Sequence, residues 1–171
     1  MDKEALRALQ APLKERYREN PRAAEVTLRA AGRLGDAVNC EVETGAGALV
    51  AALHPATGGS GGELCSGDML LQALVACAGV TLSAVATALG IVLRGGLVTA
   101  EGDLDFRGTL GVSKEAPVGF QRIRLQFKLD ADVSEEQLAT LLRLTERCCV
   151  VLQTLKNPPV ITTACERRSD C

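Results

Sequence analysis

Aromatic side chains and net charge are both scarce in this sequence. Aromatic residues make up 2% of its 171 residues, none of them is tryptophan, and the formal net charge is -2. Nucleic-acid-binding domains usually present a basic surface and aromatic side chains on which bases stack. The composition therefore argues against a nucleic-acid-binding protein.

Zinc motifs and an export signal are also missing. The sequence has one histidine, His54, and no C-x-x-C pair among its seven cysteines, which argues against a zinc site and a thioredoxin motif. A Cys–His nucleophile pair would have to use His54, which precedes Pro55 as turn residues often do. No basic, apolar leader opens the sequence, so we expect a cytoplasmic protein whose cysteines are thiols or form transient catalytic disulfides.

The sequence does contain a long uncharged stretch with a cysteine near its middle. Residues 69–93 carry no charged side chain and include Cys77. Their number alone would allow a membrane span. The stretch is rich in alanine, glycine, serine and threonine, however, and no tryptophan or tyrosine anchors flank it. We therefore predict a buried central helix and no association with a membrane.

Helix signals place this central helix among others. It is predicted to run from near Ser66 to Gly90, with Ser66 or Asp68 as its N-terminal cap. The sequence SEEQ at 134–137 is a capping box, which predicts the start of a later helix. Residues 148–155 continue or restart that helix before Pro158 and Pro159 end it.

Strand-like segments lie on both sides of the central helix. They are short, most of them alternate between apolar and polar residues, and turn-forming residues separate them. The predicted strands are 25–30, 37–44, 48–55, 97–112, 122–130 and 160–165. Strands and helices do not alternate as βαβ units, so the order predicts an α+β fold.

Small side chains recur around Cys77 at helical spacing. The row consists of Ala73, Cys77 and Thr81, with Ala84 and Ala88 close by. Such a row lets another element approach the helix closely. A cysteine there is either inert packing or a reactive thiol, and the residues alone leave both open. Cys148 and Cys149 point about 100° apart on a helix and suit each other poorly, but Cys149 could meet a partner on another helix.

Two segments together resemble the OsmC/Ohr family of bacterial peroxide-handling proteins. GGSGGELCSGDMLLQALVACAGVTL places a cysteine on an alanine-rich helix after a glycine-rich loop, and ERCCVVLQTLKNPPV contains a C-x-V-x-x-x-L pattern. The resemblance spans roughly residues 25–165 of a single domain, 1–171. Residues 1–20, with a helix predicted at 3–19, form an N-terminal extension. The resemblance implies an intertwined homodimer whose antiparallel sheets wrap around long central helices.

The resemblance also implies roles for the cysteines. Cys77 matches the peroxidatic cysteine of the family and Cys149 the resolving one. Cys149 is preferred over Cys148 because the V-x-x-x-L pattern follows it at the family spacing. The sequence departs from the family pattern at Val150, where Ohr-like members usually have proline.

Two charged residues complete the implied site, which lies at the subunit interface. The segment AGRLGDA (31–37) resembles the turn that carries the family's arginine and points to Arg33, with Arg29 as the runner-up. The segment GGE in the glycine-rich loop points to Glu63. A guanidinium beside a thiol stabilises the thiolate and stays charged when desolvated, and a carboxylate can orient it by a bidentate contact.

The implied function is a thiol-dependent peroxidase that reduces alkyl or lipid hydroperoxides in oxidative stress defence. An external dithiol would reset the cysteine pair, and neither a metal nor a bound cofactor is needed. Two alternatives remain open at this point. One is a non-catalytic module that binds a hydrophobic ligand, and the other is a redox sensor that uses Cys165 or Cys171.

Overall fold

Helices and strands occupy separate stretches of the computed structural model, which describes residues 1–167. The helices are α1 (Lys3–Glu19), α2 (Ser66–Leu89), α3 (Phe106–Thr109), α4 (Glu135–Cys148) and α5 (Val150–Lys156). The strands are β1 (Gly32–Leu34), β2 (Asn39–Thr44), β3 (Gly47–Ala52), β4 (Leu64–Cys65), β5 (Leu93–Leu104) and β6 (Phe120–Ala131). This order confirms the predicted α+β fold.

The strands form two separate sheets. The first has the order β1-β2-β3-β4, in which β2 is antiparallel to both its neighbours and the short β4 runs parallel to β3. The second is the antiparallel pair of the long strands β5 and β6, with Val98 opposite Phe127. Because α2 begins directly after β4, the first sheet sets the position of the central helix.

Helix α2 is the central element, as predicted. It packs against β5, α4 and α5, and its fully buried side chains form the row Leu74, Ala78, Leu82 and Ala86. Leu141 of α4 is buried against this row, and Phe127 and Leu129 of β6 pack around it. By length and composition alone α2 could also cross a membrane. It packs along one side against other elements of the same chain.

One face of α2 is left uncovered in a single chain. Ala73, Ala76, Val80 and Ser83 are exposed along it, and the Val80 side chain is 73% exposed. Of the predicted row of small residues, Ala73 lies on this face, and the buried row lies one position further along the chain. Cys77 and Thr81 lie between the two rows and are half-buried.

Most of the predicted helix boundaries are confirmed. Helix α1 ends at Glu19 with Asn20 as its cap. The capping box is present, because Ser134 Oγ accepts from the Gln137 N–H and Gln137 Oε1 accepts from the Ser134 N–H. The chain restarts as α5 after Cys149, whose backbone is extended.

The predicted cap of the central helix is wrong. Helix α2 already includes Ser66, its N-cap residue is Cys65, and no side chain caps it by a hydrogen bond. Asp68 lies in its first turn, where a negative charge still favours the positive end of the helix dipole.

Three strand predictions also need correction. Residues 25–30 and 160–165 form no strand, since a strand needs a neighbouring backbone and a single chain offers these segments none. The strand predicted at 97–112 begins earlier, at Leu93, and ends at Leu104. There Asp105 accepts a hydrogen bond from the Arg107 N–H and caps the short helix α3. Strands β1 and β4 were not predicted because each has three residues or fewer.

Candidate active site

The thiol of Cys77 lies where α2 passes the break between α4 and α5. Hydrogen bonds to its sulfur come from the backbone of Val151 and Val150, from the Cys149 side chain and from the Thr81 hydroxyl one turn further along α2. The first turn of a helix leaves its N–H groups without partners inside that helix, so α5 has donors to spare at this point. Two elements distant in sequence thus surround one half-buried cysteine.

These contacts change the acidity of the Cys77 thiol. Burial acts to raise its pKa, but the hydrogen bonds from Val151, Cys149, Val150 and Thr81 stabilise the thiolate and outweigh burial. The pKa of Cys77 is therefore lowered from its ordinary value. A lowered pKa increases the thiolate fraction near neutral pH, and the thiolate is the nucleophile.

The pKa of the Cys149 thiol is shifted in the opposite direction, because burial raises it. Cys149 is fully buried, and burial is the largest cause of its raised pKa, followed by the unfavourable effect of a thiolate at Cys77 that outweighs a backbone hydrogen bond from Leu152. Cys149 therefore stays protonated and its S–H donates to the Cys77 sulfur. The adjacent Cys148 is exposed.

Helix α4 determines where Cys149 lies. Leu141, Thr145 and Cys149 follow one another at four-residue spacing, and all three are buried. The Cys149 N–H donates to the Thr145 carbonyl, which holds the cysteine at the end of the helical ladder. The Thr145 hydroxyl has no hydrogen-bond partner within the described residues, although it is buried.

A single chain brings the two cysteines together but not the two predicted charged residues. Arg33 on β1 is 76% exposed and forms an ion pair with Glu43 on β2, with 2.7 Å between Nη2 and Oε1. Glu63 is exposed and accepts a hydrogen bond from Ser60 at 2.6 Å. Neither is among the groups that bond to the Cys77 thiol in residues 1–167. Arg29 is likewise exposed, in the segment before β1 that forms neither helix nor strand.

The backbone donors of α5 were not predicted from sequence. Any residue except proline can supply an N–H group, so residue identity does not reveal this role. The available signal was Val150, where the family pattern has a proline that would supply no donor. Thr81 did stand in the predicted small-residue row beside Cys77.

The single histidine and the other cysteines form no second catalytic or metal site in the described part of the chain. His54 Nδ1 accepts a hydrogen bond from the Ala56 N–H at 3.0 Å, and its ring stacks on Phe106 with centroids 4.9 Å apart. No group of three possible metal ligands occurs within residues 1–167. Cys165 is an exposed free thiol, and Cys171 lies outside the described residues.

An apolar cleft of about 430 Å³ lies between α2, β6 and α5. Its apolar lining comprises Leu70, Leu74, Phe120, Ile123, Leu125, Leu152 and Leu155. Leu74 precedes Cys77 by one turn of α2, and Leu152 follows Val150 in the first turn of α5. The cleft therefore adjoins the two helix segments that form the cysteine site.

Solved structures with the same fold include several peroxide-related proteins. An OsmC-like protein from Mycoplasma pneumoniae has a TM-score of 0.65 and 17% identity, and the match covers 78% of this chain and 90% of that one. An organic hydroperoxide resistance protein OsmC, a predicted redox protein from Legionella pneumophila, has a TM-score of 0.61 and 22% identity over 78% and 92% of the two chains. An organic hydroperoxide resistance protein from Elizabethkingia anophelis has a TM-score of 0.56 and 16% identity, and the match covers 79% of this chain and 91% of that one. At these identities the likeness shows the fold alone.

Sequence comparison identifies the family directly. No curated protein matches the chain. Residues 59–164, more than half of the chain, match the family described as OsmC-like protein. The matched range contains both Cys77 and Cys149, and the fold it describes is a soluble domain. As the OsmC/Ohr resemblance of its two motifs predicted, the chain belongs to the OsmC-like family.

Proposed function

We propose that this protein is a thiol-dependent peroxidase that reduces organic hydroperoxides through Cys77 and Cys149. The observation that supports this function best is the unequal pair of thiols in contact. Hydrogen bonds favour the thiolate at Cys77, while burial keeps Cys149 protonated. Inert packing requires no such difference in acidity between two neighbouring cysteines.

The proposed reaction has three steps. The Cys77 thiolate attacks the outer oxygen of ROOH, the O–O bond breaks, and the alkoxide takes a proton from solvent to leave as ROH. Cys77 is then a sulfenic acid, and Cys149 displaces its hydroxyl group. A disulfide forms, and the hydroxyl leaves as water with the Cys149 proton. Finally, an external dithiol exchanges with the disulfide, restores both thiols and is itself oxidised.

The apolar cleft that adjoins the helix segments of the cysteine site supports a substrate with a hydrocarbon portion. Its lining is mostly aliphatic, so it favours an alkyl or lipid hydroperoxide over hydrogen peroxide through the hydrophobic effect. The relatives from Legionella and Elizabethkingia are named for resistance to organic hydroperoxides. The same cleft also suits a non-catalytic module that binds a hydrophobic ligand. A turnover experiment distinguishes that module from a peroxidase.

A homodimer forms part of the proposal. The accessible surface of the single chain is 13244 Å². A compact monomer of 17.9 kDa would expose only about 8,000 Å². The excess supports a large interface, to which the uncovered face of α2 and the unpaired segments 25–30 and 160–165 would contribute. We propose that Arg33 and Glu63 reach a cysteine site only in this assembly, in a cytoplasmic protein.

Turnover with a synthetic dithiol tests the proposed activity. Purified protein is mixed with cumene hydroperoxide and dithiothreitol, and peroxide loss is compared with dithiol oxidation. The proposal predicts catalytic consumption of the two in equal amounts. Without dithiothreitol, one equivalent of peroxide should remove two thiols per chain. An unchanged thiol titre and no turnover would instead favour the ligand-binding module.

A further inference from the structure

Helix α1 carries an apolar stripe that its own chain covers only at one end. Leu6, Leu9, Leu13 and Tyr17 recur at spacings of three and four residues and therefore share one face. Leu6 is half-buried, whereas Leu9, Leu13 and Tyr17 are 60%, 45% and 37% exposed. Helix α1 also lies outside residues 59–164, so the family match does not account for it.

The covered end of the stripe lies next to α2. Residues 1–3, which lead into α1, and the C-terminal end of α2 line a common cavity of about 670 Å³, with Met1 and Lys3 on one side and Ser83 and Thr87 on the other. Helices α1 and α2 are in contact, but no residue of α1 is fully buried. Beyond Gln10 every residue of α1 is exposed.

The stripe therefore continues from the packed part of α1 into its uncovered part. Ser83 also belongs to the uncovered face of α2, with Val80 one turn and Ala76 two turns before it. Two apolar surfaces, one on each helix, thus meet at the same place and are both open. The accessible surface of the chain exceeds that of a compact monomer by several thousand Å².

We infer that α1 is an arm that crosses to a second copy of this chain, with Leu9, Leu13 and Tyr17 packed on the partner. The inference rests on the proposed homodimer and adds to it a role for the N-terminal helix. The exposed charged residues Glu4 and Glu15 lie on the opposite face of α1 and remain in water. A second copy is favoured as the occupant because the stripe adjoins the face of α2 that the dimer would cover.

Tyr17 provides a direct probe of the arm. It is the one tyrosine of a chain without tryptophan, so its fluorescence reports on α1 alone. Acrylamide quenching of full-length wild-type protein is measured across a dilution series, with light scattering at each concentration. The arm predicts that Tyr17 is shielded in the dimer and that quenching increases as the dimer dissociates.

Paired variants make the test independent of dilution. Leu9→Gln with Leu13→Gln should weaken the dimer at least about tenfold, because apolar surface leaves the interface. At equal concentration the same variant should expose Tyr17. Glu4→Gln with Glu15→Gln on the opposite face should change neither result, and circular dichroism at 222 nm checks that both pairs keep the helix.

Several outcomes would overturn the arm. One is a dimer whose Tyr17 is quenched as readily as in the dissociated protein or in the Leu9, Leu13 variant. Another is Tyr17 that becomes shielded only on addition of phosphatidylglycerol vesicles, which would assign α1 to a membrane surface. A stable monomer would remove the arm and the proposed homodimer together. The dithiothreitol assay reports on the cysteine chemistry separately, so the two failures are distinguishable.

Discussion

The helical centre of the molecule and its N-terminal sheet differ in how far one chain completes them. Around Cys77, helices α2, α4 and α5 already meet, and Cys149 is buried against the thiol. In the sheet, Arg33 and Glu63 are exposed and bond to Glu43 and Ser60. The cysteine pair is therefore a property of one chain, whereas the two charged residues lie apart from it on the exposed surface of that chain.

The difference separates two sources of thiolate stabilisation. Within one chain, the backbone N–H groups of Val150 and Val151 act on the Cys77 sulfur without any charged side chain. A guanidinium would add to this effect only after assembly. The two contributions can be removed one at a time, because they come from different elements.

The largest effect should come from Cys77→Ser. The substitution is nearly isosteric but removes the nucleophile, so turnover of cumene hydroperoxide should fall more than about 10³-fold. The thermal midpoint should change little, since the site is only half-buried. Wild-type turnover in this variant would reject the assignment of Cys77. Cys40→Ser, which changes another half-buried cysteine, is the control.

Cys149→Ser should separate the first step from the second. The first equivalent of peroxide should still be consumed, leaving a sulfenic acid that dimedone labels. Steady-state turnover should fall on the order of a hundredfold, because an external thiol does not match the effective concentration of an internal one. Cys148→Ser should retain wild-type turnover. The reverse pattern would transfer the resolving role to Cys148.

Arg33→Ala tests the sheet half of the comparison. If the guanidinium reaches a cysteine site in the assembly, losing a charged hydrogen bond of about 1.5–3 kcal/mol should lower kcat/KM roughly 10- to 100-fold. Arg33→Lys should restore only part of this loss, because it lacks the planar fork. Arg29→Ala should have little effect. A loss confined to Arg29→Ala would move the role there, and no loss in either variant would leave thiolate stabilisation to the helical centre.

Val150→Pro tests thiolate stabilisation by the backbone of α5, and its expected effect is the smallest. Proline removes one N–H donor but suits the first position of a helix, and Cys149 already has the extended backbone that precedes proline. The pKa of Cys77 should rise, and kcat/KM at pH 7 should fall about fivefold for a lost hydrogen bond of about 1 kcal/mol. Val150→Ala, which keeps the donor, is the control.

The pH dependence of activity in these two variants shows directly in which direction the pKa of Cys77 has shifted. Activity should rise with pH as Cys77 ionises, and its lowered pKa places the wild-type rise at lower pH than for an unperturbed thiol. Val150→Pro should move the rise to higher pH, whereas Val150→Ala should not. Coincident profiles for the two variants would show that the Val150 N–H does not act on the thiol.

Sequence reasoning reached the helices more completely than the sheets. The Ser134–Gln137 capping box and the helix at 3–19 have local signals that survive in the fold. Which side of α2 the chain itself buries was not predicted, because a helix that is apolar all round has no clear phase. Segments 25–30 and 160–165 show strand patterns without strands, since strand formation depends on a neighbour that the sequence does not specify.

The residues of the candidate site could be predicted only in part. Cys77 and Cys149 were placed by family resemblance, and residue chemistry alone left the reactive and inert interpretations of Cys77 open. The backbone donors at Val150 and Val151 depend on where α5 restarts, which the sequence left undecided. Arg33 and Glu63 remain predictions, because their surroundings in a single chain are those of exposed surface residues.

Disulfide mapping tests the central claim most directly. Full-length protein is treated with half an equivalent of cumene hydroperoxide per chain, blocked with an alkylating agent and digested without reduction. We predict a peptide linked between Cys77 and Cys149, at a yield that matches the peroxide added, and no such peptide in Cys77→Ser. A linkage through Cys148 or Cys165 in its place, or peroxide consumption that leaves Cys77 and Cys149 fully alkylated, would contradict the account.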